Sequence, residues 1–170
     1  TLQSILQNQI EKHGEHIFKE GTVVIPGQVS YSDAYYSVAL ADDFSGESIN
    51  PAQFFNATTP VVITGVTSGV KAQVINYAVG TATTQPYLYV QYIQTGDDLA
   101  TTVFADGENI TADVSITHTT TYTAGIASIT TFSSSASNKG SAVTVEEGVY
   151  FVRGNFVKCA KQTVILSNTS

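Results

Sequence analysis

Adjacent acids are the residues of this sequence that first suggest chemistry. They come in three pairs: Asp42-Asp43, Asp97-Asp98 and Glu146-Glu147. A glycoside hydrolase needs two carboxyls facing each other, about 5 Å apart if retaining and about 6.5–9.5 Å if inverting. Neighbours on a strand point to opposite faces, so an adjacent pair rarely supplies that geometry. Each pair also falls in or beside a turn, where acids are ordinary solvated residues. The turn reading is preferred.

Other catalytic constellations fare no better. His13, His16 and His118 are the imidazoles; the first two share a helical face only if a helix runs through Gly14. No third ligand lies near them, and no His-Glu-x-x-His or paired-Cys spacing occurs. The single cysteine, Cys159, cannot close an intrachain disulfide and reads as a small core or surface residue. Gly65-Val66-Thr67-Ser68-Gly69 misses the spacing of a nucleophile elbow, and the glycines precede strands, so no phosphate-cradling loop is formed. We therefore expect no catalytic residue, no cofactor and no metal, and a chain that is not an enzyme.

Binding is the remaining chemistry. Nine tyrosines offer flat apolar rings with a polar tip, which could line a sugar-binding face. The competing reading is packing between sheets or subunits, where tyrosine is favoured, and it is preferred. Alternation places Tyr87 and Tyr89 on one side of a strand, which makes them the candidate glycan-facing pair.

The chain has 170 residues, enough for one domain with a real core, and 42% of them are hydrophobic. Charged residues make up only 12%, about half the usual share. Thr, Ser, Asn and Gln supply the polar surface instead, which suits dense β structure. The net charge is −7 with scattered cations, so nucleic acid and anionic membrane surfaces are poor partners. No apolar run is long enough for a spanning helix, and membrane insertion is not expected. The lack of any Met suggests a fragment or a processed chain, and the abrupt C-terminal end suggests that the natural protein continues.

The elements that would position these residues are mostly strands. Residues 1–14 predict a helix, because Leu2, Ile5, Leu6 and Ile10 recur at helical spacing and Gly14 marks a stop. At about three turns it is too short to stand alone, so its stripe must rest on the body or on another chain. Residues 15–170 predict an antiparallel β-sandwich or barrel-like body. Strands are expected over 22–25, 35–40, 61–64, 70–79 and 87–93, with a helical turn at Pro51 and a hairpin loop over 65–69. Residues 114–138 carry no charge and predict exposed strands or ribbon with a mobile loop near Ser134. Strands return over 143–145, 149–152, 156–159 and 164–166. Residues 16–24 weakly echo 149–157; chance similarity is the preferred reading, and the alternative is a pair of bent strands in which the glycine allows a kink or bulge.

Three stretches also look familiar: Ile17-Phe18-Lys19-Glu20-Gly21-Thr22-Val23-Val24-Ile25-Pro26-Gly27, Ile63-Thr64-Gly65-Val66-Thr67-Ser68-Gly69-Val70-Lys71-Ala72, and Gly148-Val149-Tyr150-Phe151-Val152-Arg153-Gly154-Asn155-Phe156-Val157. In this order, and over roughly residues 10 to 166, the chain resembles an uncharacterised domain family of tailed-phage tail and tail-fibre proteins, of the kind carried by cyanophage-type myoviruses. The resemblance implies a setting, not a mechanism. It implies a virion protein of the tail, assembled in the host cytoplasm, with other tail or baseplate proteins as partners and a trimer as the favoured oligomer. On this reading Leu2, Ile5, Leu6 and Ile10 form an assembly contact. Two alternatives stand beside it: a receptor-binding module for host surface glycan, and a depolymerase or peptidase domain, for which the sequence offers no convergent carboxylates.

Overall fold

The computed structural model describes residues 4–5 and 23–167. Runs of branched and aromatic residues punctuated by Gly, Asn, Asp and Ser form fifteen strands among the described residues. In chain order they are β1 (Val23–Ile25), β2 (Val29–Ala39), β3 (Asp43–Phe44), β4 (Glu47–Ser48), β5 (Val62–Gly65), β6 (Lys71–Ala78), β7 (Tyr87–Gln94), β8 (Asn109–Ala112), β9 (Ile116–Thr117), β10 (Thr121–Tyr122), β11 (Ala127–Thr130), β12 (Ser137–Val145), β13 (Gly148–Val152), β14 (Asn155–Cys159) and β15 (Gln162–Ser167). The ladders are antiparallel, and the fold is mainly β. The expected helix lies outside the described residues apart from Ser4 and Ile5, which have helical backbone; so does the expected boundary at residue 14.

The chain forms two compact units, one of residues 1–32 and 142–164, the other of residues 33–141 and 165–170. In the second unit the strand order is β11-β8-β5-β6-β7-β2-β12. Alternation builds its core. Ile63, Ala72, Val74, Leu88, Val90 and Val38 all turn inward and are at most 1% exposed. Register makes the packing specific, setting Val38 against Leu88 and Val74 against Val90. Pro51–Phe54 is a single 3-10 turn whose first residue has a fixed φ; Asn50 caps it by accepting from the Ala52 N–H at 3.1 Å. That turn drives Phe54 fully into the core, a burial worth roughly 2–3 kcal/mol.

The sheet of this unit curls until the end of β2 meets the segment after β11. Leu40 bridges Thr131, the Ala41 N–H donates to Thr130 O (2.9 Å), and the Phe132 N–H donates to Ala39 O (2.8 Å). One bridge is not a ladder, so the sheet stops short of a closed barrel.

Residues 114–138 depart from the expected exposed ribbon. Ile116, Ser128, Ile129, Thr131 and Ala136 are all at most 1% exposed. For Thr131 the reason is hydrogen bonding that hydropathy does not register, whereas the Ser128 hydroxyl is buried without a partner among the described residues. Thr131 Oγ1 donates to Ala105 O (2.8 Å) and accepts from the Glu108 N–H (3.0 Å), so the hydroxyl enters the interior satisfied. The loop near Ser134 is tied as well, because the Asp106 carboxylate accepts from the N–H groups of Ser135 (3.0 Å) and Ala136 (2.8 Å).

In the first unit β1, β13 and β14 form a sheet of order β1-β13-β14, and parts of β2, β12 and β15 belong to the same unit. Phe151 lies opposite Phe156 with ring centroids 5.7 Å apart, edge to face. The alternative of a glycine kink at Gly154 gives way to a tight reversal. Arg153 (φ 49°) and Gly154 (φ 77°) form the two-residue turn that joins β13 to β14, a left-handed conformation that glycine adopts without strain.

Candidate functional site

The adjacent acids are held separately, each by its own local partners. Asp43 accepts from the Gly46 N–H (3.3 Å) inside the β3–β4 turn, and the Gln85 amide lies against Asp42. Glu146 pairs with Lys161 at 2.7 Å and Glu147 with Lys158 at 2.8 Å, all four side chains exposed. Asp98 closes a turn, accepting from Thr101 Oγ1 (2.7 Å) and from the N–H groups of Thr101 (2.8 Å) and Ala100 (3.0 Å). Those bonds, the Thr101 hydroxyl first, lower its pKa from an ordinary 3.8 to about 2. Asp97 and Asp98 line an open cleft of about 360 Å³ with Thr67, Ser68, Thr101 and Ala105.

Beneath that cleft lies a carboxylate that inspection of the sequence did not single out. Glu108 is 5% exposed and accepts four hydrogen bonds: from the N–H groups of Thr67 (3.2 Å), Ser68 (3.1 Å) and Ala105 (2.7 Å), and from Ser68 Oγ (2.9 Å). A buried charge is tolerable only with such a set of donors. Gly65 is part of the arrangement, since a Cβ there would meet Ser68 Oγ and come within 2.6 Å of Glu108 Oε2. Glu108 staples the β5–β6 loop to the segment before β8. Apart from the Ala105 N–H, its donors come from the distant Thr67 and Ser68, so no local spacing reveals the full set.

His118 donates from Nε2 to the Ser128 carbonyl at 2.7 Å and sits between Phe54 and Tyr122. No group of His, Cys, Asp and Glu among the described residues is placed to hold a metal, and Cys159 is exposed at the end of β14. No helix among the described residues is long and apolar enough to cross a membrane.

Two surfaces remain as candidates for binding. The first is on the β1-β13-β14 sheet. Val23 pairs with Tyr150 and Tyr150 with Val157, so the three side chains form a row across one face. Val152 falls on the same face by alternation, whereas the irregularity between Val23 and Ile25 pairs Ile25 with Val149 and turns it to the other face. Val23 is 50% exposed, Ile25 53%, Val152 39% and Val157 43%. Since Phe151 and Phe156 occupy the opposite face, this sheet is apolar on both sides. Of the expected assembly residues, Ile5 is 59% exposed, while Leu2, Leu6 and Ile10 lie outside the described residues.

The second surface is the outward face of β6 and β7, where Tyr87 and Tyr89 stand half-buried. The other tyrosines of these strands and of the end of β2 turn inward. Tyr36, Tyr77 and Tyr92 pack on the core, and burial pushes the Tyr92 hydroxyl up to about 12. That hydroxyl accepts from the Phe104 N–H (3.1 Å) and shares a hydrogen bond with Ser137 Oγ (2.7 Å). Compared with family models, with curated proteins and with solved structures, the chain matches none.

Proposed function

We propose that this chain is a non-catalytic structural module of a tailed-phage virion, a tail-fibre or baseplate-associated adaptor that assembles with further copies of itself. The observation that carries the reading is the exposed apolar row Val23, Tyr150 and Val157, extended by Val152. A sheet that must face water on one side alternates apolar with polar residues; one apolar on both faces is built to be covered twice. Covering the second face with a different patch of a neighbouring copy gives a closed symmetric ring, and a trimer is the form we favour. Leu2, Ile5, Leu6 and Ile10 add an N-terminal contact to the same assembly in this scheme. The β body, a sandwich-like stack of antiparallel sheet, serves as the rigid spacer between attachment points, with other tail or baseplate proteins at its ends.

Mass spectrometry of purified virions from a phage that encodes the chain tests the setting. The chain is expected at a fixed stoichiometry in the tail fraction. Its presence only in infected-cell lysate, never in purified particles, would remove the virion reading.

A further inference from the structure

We propose that the outward face of β6 and β7 in the second unit is a binding platform for a neutral glycan. The structure sorts the tyrosines into packers and non-packers. Tyr36 meets Tyr92 edge-on at 5.0 Å, Tyr92 meets Phe104 at 5.1 Å, and Tyr77 lies on Phe55 at 5.7 Å, so packing accounts for these three. It does not account for Tyr87 and Tyr89. Both stand outside the core cluster, and neither ring has an aromatic partner nor either hydroxyl a hydrogen bond among the described residues.

Register surrounds these rings with amides. Asn76 lies directly opposite Tyr89, and Gln73 opposite Gln91. Simple alternation would turn Asn76 inward with Val74. The irregularity between Val74 and Asn76 inserts one extra residue, so that Asn76 joins the tyrosine face and Tyr77 takes the inward position opposite Leu88. The side-chain amides of Gln73 and Gln91 have no partner among the described residues, and Asn76 uses only its Oδ1, accepting from the Tyr77 N–H at 2.9 Å.

This set of groups matches sugar chemistry. A pyranose presents a C–H face, for which a tyrosine ring is a flat apolar counterpart, and hydroxyls that each need a donor and an acceptor. A primary amide offers both from one side chain. Tyr87 and Tyr89 are about 6.8 Å apart along the strand, so the two rings can meet successive sugars. None of Gln73, Asn76, Tyr87, Tyr89 and Gln91 carries a charge. Lys71, the cation on this face of β6, lies at the strand's start opposite Gln94 and away from the two rings, so no ion pair beside them favours a sulfated or carboxylated sugar.

The test is an array of neutral and acidic oligosaccharides probed with the full chain, followed by calorimetric titration of the strongest neutral hit. Neutral sugars are expected to bind. Tyr89→Ala should weaken binding about tenfold or more, while Tyr89→Phe keeps most of it because the ring remains. Gln91→Ala, a small change on an outward position, gives an independent loss if Tyr89→Ala fails to fold. Melting curves of each variant separate lost contacts from lost structure. Absence of any neutral hit, binding confined to acidic sugars, or affinity unchanged in folded Tyr89→Ala and Gln91→Ala would overturn the proposal. None of these outcomes bears on assembly through the first unit.

Discussion

The two units use the same material in opposite ways. In the second, inward residues such as Val38, Ile63, Leu88 and Val90 are fully buried, and the other face of the sheet carries Tyr87, Tyr89 and amides. In the first, Ala142 and Phe151 are the buried hydrophobics among the described residues, while Val23, Val152 and Val157 lie on an exposed face. One unit has a sheet with a dry side and a wet side; the other has a sheet with two dry sides and water on one of them. The difference teaches that strand alternation assigns residues to faces, while burial depends on what else is present to cover each face.

The largest expected contrast is in the core. Phe54→Ala should cost about 3–5 kcal/mol in chemical denaturation, because the ring is completely enclosed. A cost near that of a surface substitution would mean that the second unit is not the self-sufficient one. Next comes the buried staple. Glu108→Ala leaves three backbone N–H groups without their acceptor and should cost about 3 kcal/mol, seen as a lower midpoint of unfolding. If Glu108→Gln matches Glu108→Ala in full, the charge and not the set of bonds is what matters.

On the first unit the sign of the contrast reverses. Val23→Asp together with Val157→Asp should change the stability of the isolated chain by no more than about 0.5 kcal/mol, since both side chains already face solvent. The same pair should abolish self-association. A large loss of stability with association intact would mean that this row is covered from within the chain.

The smallest effects are those of pH. Asp98, Glu47 and Glu147 are held below their ordinary values, Asp98 and Glu47 first by threonine hydroxyls and Glu147 first by Lys158. Groups with lowered pKa values bind more protons when unfolded, so their contribution is present above the ordinary carboxylate range and is lost as pH falls, for Asp98 from about 3.8 towards 2. Tyr92 works the other way. Its contribution is complete below pH 10 and fades as pH rises towards 12, where the buried hydroxyl ionises. Melting curves against pH should show both limbs, and Tyr92→Phe should flatten the alkaline one.

Much of the second unit was legible in the sequence. The alternation of residues 87–93 placed Leu88 and Val90 on the face opposite Tyr87 and Tyr89, and Pro51 marked its turn. The loop over 65–69 joins β5 to β6 as glycines at both ends suggest. What escaped was long-range or irregular. Glu108 looks like a solvated turn acid until residues 67, 68 and 105 bring four donors to it. The extra residue at Ile75 reverses the parity of everything after it in β6, and nothing local announces it. Thr131 and Ser128 read as surface because their burial depends on neighbours that only the fold supplies. The three-stranded sheet was expected as strands, but its doubly apolar character appears only once the pairing of Val23, Tyr150 and Val157 is known.

Sedimentation equilibrium of the full chain over micromolar to millimolar concentrations tests the central claim most directly. Assembly through the β1-β13-β14 face predicts a mass that is a multiple of 18.0 kDa, three-fold for the favoured trimer, falling to 18.0 kDa when Val23 and Val157 are both changed to Asp. A chain that stays at 18.0 kDa throughout, or an assembly that those two charges leave intact, would contradict it.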